Sequence, residues 1–130
     1  MSHARTAMRE ADLLAAVIDL AHLYLWRVAH FRPCRTEGGW RTAVQADGEG
    51  FPDLILVRAG RLVLAELKRT GGQPTYEQWA WLALAQGYDP ETDWITLSAS
   101  LRRGTSGYIR AVEAHLWRPS DWPEIVQVLA

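Results

Sequence analysis

The sequence holds a single cysteine, a single lysine and no long apolar run, and each shortage narrows what the chain can be. Cys34 alone cannot close an internal disulfide, and without a CxxC pair there is no cysteine zinc site, so a reducing intracellular setting is expected. The longest apolar run near the start, Leu13 to Ile18, lies between Asp12 and Asp19, far too short for a membrane span and a poor signal-peptide core. A soluble cytoplasmic protein with no membrane partner is the expectation. Charge of one sign is missing too: 14 Lys+Arg against 15 Asp+Glu leave −1. That excludes a histone-like basic blanket, so a nucleic-acid partner would have to be met by a local patch. Repeats and low-complexity segments are absent.

What is present is a globular composition, 48% hydrophobic and 22% charged over 130 residues, which fits one domain. All the basic residues except Lys68 are arginine, a bias that coding preference alone could produce.

Leu13, Leu14, Val17, Ile18 and Ala21 recur at helical spacing, so a first helix is expected from about Arg9 to Leu23, with Glu10 at the edge of its apolar face. Leu25 to Phe31 reads as a strand stopped by Pro33. Residues 33–50, punctuated by Pro33, Gly38, Gly39, Gly48 and Gly50, read as a long connection with arginines at one end and Asp47 and Glu49 at the other. Asp53 to Arg58 and Leu62 to Lys68 form a hairpin turning at Ala59-Gly60 or Gly60-Arg61. Either turn sets Asp53, Ile55, Val57, Leu62, Leu64, Glu66 and Lys68 on one face and Leu54, Leu56, Val63, Ala65 and Leu67 on the other. Both faces are apolar enough to be covered. Thr75-Tyr76-Glu77-Gln78 matches a capping box and opens a helix to about Gln86, closed by Gly87. A polar excursion with a short helical piece follows, then a strand at Val112 to Trp117 and a last helix capped at Asp121 with Pro123 in its first turn. The expected fold class is α/β, a small mixed β-sheet flanked by helices.

One end of the hairpin is chemically odd. Asp53 begins one buried strand while Glu66 and Lys68 finish its antiparallel neighbour, on the same face. Two carboxylates and an ammonium among Ile, Val and Leu are unfavourable unless they pair or bind something. Carboxylate pairs suit Mg²⁺ or a similar hard cation, which lowers the pKa of bound water and stabilises charge on a phosphoryl oxygen. A plain Glu66–Lys68 ion pair, with Asp53 merely leading into its strand, is the competing reading.

Gly50-Phe51-Pro52-Asp53-Leu54, then Leu64-Ala65-Glu66-Leu67-Lys68, then Gln78 with Trp79 to Leu82, resembles the VRR-NUC branch of the PD-(D/E)XK nucleases. The order GxPD, ExK, Q-x-x-W/L on strand, strand and helix is far more specific than D…ExK alone. The resemblance resumes at His115-Leu116-Trp117-Arg118-Pro119 and covers most of the chain, leaving residues 88–111 as an extension of open function.

The resemblance implies a restriction-endonuclease-like three-layer sandwich with an αβββαβ core and a C-terminal helix. It implies Asp53 and Glu66 as ligands of Mg²⁺ or Mn²⁺, with the Leu67 carbonyl beside them and Glu10 at or behind the metal. Lys68 becomes the catalytic lysine and Gln78 the glutamine of the following motif. Gln78 is equally the N3 residue of its capping box, and Glu10 equally a first-turn acid favoured by the helix dipole. The implied activity is metal-dependent endonuclease cleavage of branched or structured DNA, as in a Holliday-junction resolvase. A homodimer would supply two cuts to a two-fold symmetric junction. Arg32, Arg35, Arg41 and Arg69 would contact phosphates, with solvated surface as the alternative for each. Other function classes stay open: a DNA-structure-binding module that no longer cuts, a nuclease on flaps or single strands, or an interaction scaffold.

The remaining candidates are weaker. Pro33 spoils a helical ligand pair of His30 and Cys34, Asp47-Gly48-Glu49-Gly50 lacks the EF-hand ligand order, and Trp40 could stack on an unpaired base.

Overall fold

A computed structural model describes residues 8–31, 33–36, 39–42, 44–87 and 112–130, with the backbone alone described at 33–36 and 39–42. The chain runs α1 (Glu10–Leu23), β1 (Arg27–His30), β2 (Pro33–Thr36), β3 (Gly39–Thr42), β4 (Leu54–Arg58), β5 (Arg61–Leu67), α2 (Tyr76–Ala85), β6 (Val112–Trp117), a 3₁₀ turn (Pro119–Asp121) and α3 (Trp122–Leu129). The expected extension at about 88–111, with its short helical piece, lies outside the described residues.

Four strands form one mixed sheet in the order β1-β4-β5-β6. The first three neighbours pair antiparallel, and β6 returns parallel to β5 after the α2 crossover. The hairpin register decides the faces. Ile55 lies opposite Leu64 and Val57 opposite Leu62, while Leu54 lies opposite Ala65 and Leu56 opposite Val63. The second set packs with Leu13, Val17 and Ala21 of α1 and Ile125 and Leu129 of α3. Leu64, with Ile55 and Leu62 beside it, packs on the other face against Trp79, Leu82 and Ala83 of α2. The molecule is an α/β sandwich with helices on both faces of a small mixed sheet.

Local sequence explains most element ends. Leu13, Val17 and Ala21 recur every four residues and are fully buried, which fixes the rotation of α1. Leu25, at φ 66, turns the chain out of α1, and the Trp26 amide donates back to the Ala21 carbonyl at 2.9 Å. In α2 the expected capping box is complete: Thr75 Oγ1 accepts from the Gln78 amide at 3.2 Å and Gln78 Oε1 accepts from the Thr75 amide at 2.8 Å. The hairpin turn is Ala59-Gly60, both at positive φ (48 and 80), as a type I′ turn requires.

Two expectations need correction. The stretch 33–50 is not one long connection, because β2 and β3 pair as a separate two-stranded ribbon, Pro33 opposite Thr42 and Thr36 opposite Gly39. The ribbon's strands pair with each other and not with the main sheet, and at four residues each they are too short for an apolar period to announce them. Asp121, read as the side-chain cap of α3, turns backward instead. Its Oδ2 accepts from the Arg118 amide at 2.8 Å and closes the 3₁₀ turn, leaving α3 without a side-chain cap.

The closing helix is tied to the sheet. Trp26 Nε1 donates to the Leu129 carbonyl at 2.8 Å, and the Arg58 guanidinium donates to the Tyr24, Leu129 and Ala130 carbonyls while lying 4.6 Å over the Trp26 ring. Among the described residues no helix is long and apolar enough to cross a membrane.

Candidate metal centre

Asp53 lies one residue before β4, and the Leu54–Ala65 pairing sets it opposite Glu66 near the end of β5. Its backbone carbonyl accepts from the Phe31 amide at 3.0 Å, which ties it to the chain leaving β1. Its side-chain Oδ2 accepts from the Leu67 amide at 2.8 Å, so one carboxylate oxygen is oriented by the neighbouring strand. Lys68 follows β5 directly, and its amide donates to the Trp117 carbonyl at 2.9 Å, tying it to the end of β6.

From the other direction comes Glu10, the first residue of α1. One carboxylate oxygen from each of Glu10, Asp53 and Glu66 lies within 4.8 Å of the others. Glu66 is only 2% exposed. Its Oε1 lies 3.6 Å from Lys68 Nζ, while its buried Oε2 has no hydrogen-bond partner. A buried carboxylate oxygen left unpartnered is unfavourable.

The electrostatics follow from this crowding. Burial first, then the charge of Asp53, push the Glu66 carboxyl up to about 9, against a smaller opposing pull from Lys68. Glu10 is exposed as a residue, yet its carboxyl end is partly enclosed, and that enclosure followed by Asp53 raises its pKa while Lys68 and Arg69 act against the rise. Two carboxyls held above their ordinary range, Glu66 and Glu10, crowd Asp53 beside one lysine, and the site is short of positive charge. The donor set is all hard carboxylate oxygen, as Mg²⁺ or Mn²⁺ prefers, and the orphaned Glu66 Oε2 fits the same cation.

The other candidates are not among the three clustered acids. Leu67 takes part through its N–H to Asp53, with its side chain in the core. Gln78 makes its side-chain hydrogen bond inside the capping box, as the cap reading of the sequence expects. Arg69 is exposed beside Lys68, its Nη1 at 3.4 Å from the Thr70 carbonyl. Arg32 and the side chains of Arg35 and Arg41 lie outside the described residues.

Contacts around the site that sequence reasoning missed come from residues distant in the chain. Trp81 Nε1 donates to the Asp47 and Glu49 carbonyls at 3.2 and 3.1 Å. Arg118 Nε and Nη2 donate to the Gly72 carbonyl at 3.1 and 2.8 Å, holding the turn that follows Lys68. Such pairings leave almost no local signature in sequence.

Compared with known proteins, the chain matches no family model, and a search of curated proteins likewise finds no match.

Proposed function

We propose that the chain is a metal-dependent endonuclease of the PD-(D/E)XK type, of the VRR-NUC branch with its restriction-endonuclease-like sandwich, acting on branched DNA in the manner of a Holliday-junction resolvase. The observation that carries this reading is the convergence of Glu10, Asp53 and Glu66, one carboxylate oxygen of each within 4.8 Å of the others, with Lys68 Nζ 3.6 Å from Glu66 and the buried Glu66 Oε2 without a hydrogen-bond partner. A structural Glu66–Lys68 ion pair would account for one oxygen and leave the other acids unexplained.

Asp53 and Glu66 would hold Mg²⁺ or Mn²⁺, with Glu10 and the Leu67 carbonyl completing the protein's share. Such an ion supplies an acidified water and charge neutralisation at a phosphoryl oxygen. Leu67 N–H fixes one Asp53 oxygen and thereby aims the carboxylate. Lys68, 16% exposed and restrained by the hydrogen bond from its backbone N–H to the Trp117 carbonyl, keeps its side-chain amine at the rim, where it can orient a nucleophilic water or hold a non-bridging phosphate oxygen. Arg69 extends that positive edge, and Arg32, Arg35 and Arg41 are proposed phosphate contacts. Because the described residues of one chain offer one site, paired cuts in a two-fold symmetric junction call for a homodimer.

Cleavage of labelled junctions, flaps, single strands and linear duplex with Mg²⁺ or Mn²⁺ tests this reading. Junction cutting is expected from the wild type, with Lys68→Ala and Glu66→Gln reduced about 10²–10³-fold or more. Cutting by Glu66→Gln at the wild-type rate overturns the site. Salt-sensitive junction binding without cutting selects the silent binding module, and preference for flaps or single strands selects a different substrate.

A further inference from the structure

Between Thr42 and β4, the described chain from Val44 has no regular structure before it delivers Asp53 to the acidic cluster. An irregular lead-in must be pinned from outside if the carboxylate it presents is to keep one position. The pins come from α2. Trp81 Nε1 bridges the Asp47 and Glu49 carbonyls at 3.2 and 3.1 Å, so a single side chain holds two points of the loop. The Trp81 ring also meets Phe51 edge to face at 4.9 Å, and Phe51 meets Phe31 in the same way at 4.9 Å.

Gly50 lets the loop lie this close. It adopts φ 77, and a Cβ there would come within 2.6–2.7 Å of the Glu77 carbonyl carbon and Cβ and of the Gln78 amide. From the Glu49 carbonyl to Asp53 only three residues intervene, one of them Pro52, buried and with its φ fixed by the ring. On the far side, the Asp53 carbonyl is held by the Phe31 amide, and Phe31 is the other end of the aromatic chain. The backbone around Asp53 is therefore clamped on both sides through Trp81, Phe51 and Phe31.

We infer that Trp81 is the positioning residue of the metal centre: through the Asp47 and Glu49 carbonyls and the Phe51 ring it fixes Asp53 in the place where it can share a cation with Glu66 and Glu10. The inference rests on the metal-centre reading given above. Trp81 itself touches neither the cation nor the substrate.

Mn²⁺ titration calorimetry on the purified chain, with amide hydrogen exchange of the metal-free chain, tests the assignment. Trp81→Phe keeps an aromatic ring beside Phe51 and removes the N–H that makes both carbonyl contacts. It is expected to fold, to weaken Mn²⁺ binding about tenfold, and to speed exchange of the Phe31 amide. Gly50→Ala, which pushes the loop off α2, is expected to do the same and serves if the tryptophan variant fails to fold. Leu82→Val, a core change on the same helix, is expected to lower the melting temperature while leaving Mn²⁺ affinity unchanged. Wild-type affinity in Trp81→Phe, or equal weakening by Leu82→Val, overturns the positioning role. A wild type that binds no Mn²⁺ overturns the metal-centre reading, and exchange at Phe31 then decides alone whether Trp81 clamps the Asp53 backbone.

Discussion

Without a cation, Glu66 is 2% exposed, lacks a partner for Oε2 and has its acidity weakened to about pKa 9 by burial and by Asp53. A carboxyl raised in this way contributes stability that is fully present below the ordinary carboxylate range and is lost as pH rises through about 9. The folded, metal-free chain therefore becomes less stable across neutral pH on account of this residue. Glu66→Gln keeps the shape and removes the ionisation. In chelator at pH 8, where the unfolded wild type ionises this carboxyl and the fold keeps it protonated, Glu66→Gln should be more stable than the wild type by ~1–3 kcal/mol, with the gap closing towards pH 4, where both states of the wild type hold the proton. Thermal melts at the two pH values check this. Equal melting at pH 8 would mean that the carboxylate is already satisfied by Lys68. The same variant is expected to cut about 10²–10³-fold more slowly or worse, so stability and the proposed activity would move in opposite directions at one atom.

Among the elements, the β4–β5 hairpin shows what local sequence can specify. Its apolar alternation and its Gly60 turn fix the register, and the register alone carries Asp53 across from Glu66 with Lys68 just beyond. That trio was therefore legible, as were the buried face of α1 and the capping box of α2. The β2–β3 ribbon was not, because its strands pair only with each other and at four residues each are too short to show a clear period. The Trp81 clamp spans 34 residues to Asp47, and only Gly50, a glycine ahead of Phe51-Pro52-Asp53, hinted that the loop lies hard against another element. Glu10 was legible as a position on a helix face, whereas its approach to Asp53 depends on how α1 docks. The turn also holds a correctable flaw. Ala59 sits at φ 48, where a Cβ is disfavoured by about 1–2 kcal/mol, and it is exposed. Ala59→Asn, suited to the first position of a type I′ turn, should raise stability by ~0.5–1 kcal/mol in urea unfolding. Mn²⁺ affinity should stay at the wild-type value, since the turn is at the opposite end of the hairpin from Asp53 and Glu66.

For the whole molecule, the acidic cluster is a junction of layers. Glu10 belongs to α1, Asp53 to the lead-in of β4 and Glu66 to β5. Those parts are held together by the core that α1 and α3 form over one sheet face and by the Trp26 and Arg58 ties to the end of α3. In the unfolded chain Glu10, Asp53 and Glu66 are separated by 42 and 12 intervening residues, so the three-carboxylate site exists only in the fold. A cation that selects the folded form stabilises it by mass action, about 2.7 kcal/mol at a concentration a hundred times its Kd. For a chain of this size that amounts to a rise of about 10 °C in Tm. Asp53→Asn should lose nearly all of that rise. Glu10→Gln should lose part of it if α1 contributes a ligand or orients one, and the part lost measures how far the first helix belongs to the site. Differential scanning fluorimetry with Mg²⁺, Mn²⁺ and chelator reads all three proteins under one condition. A full rise in Glu10→Gln would confine the centre to the hairpin and leave Glu10 with its other role, a first-turn acid stabilised by the dipole of its own helix. A graded loss, wild type above Glu10→Gln above Asp53→Asn, would tie cation binding to the docking of α1, so that any substitution loosening Leu13 or Val17 in the core would weaken the metal centre as well as the fold.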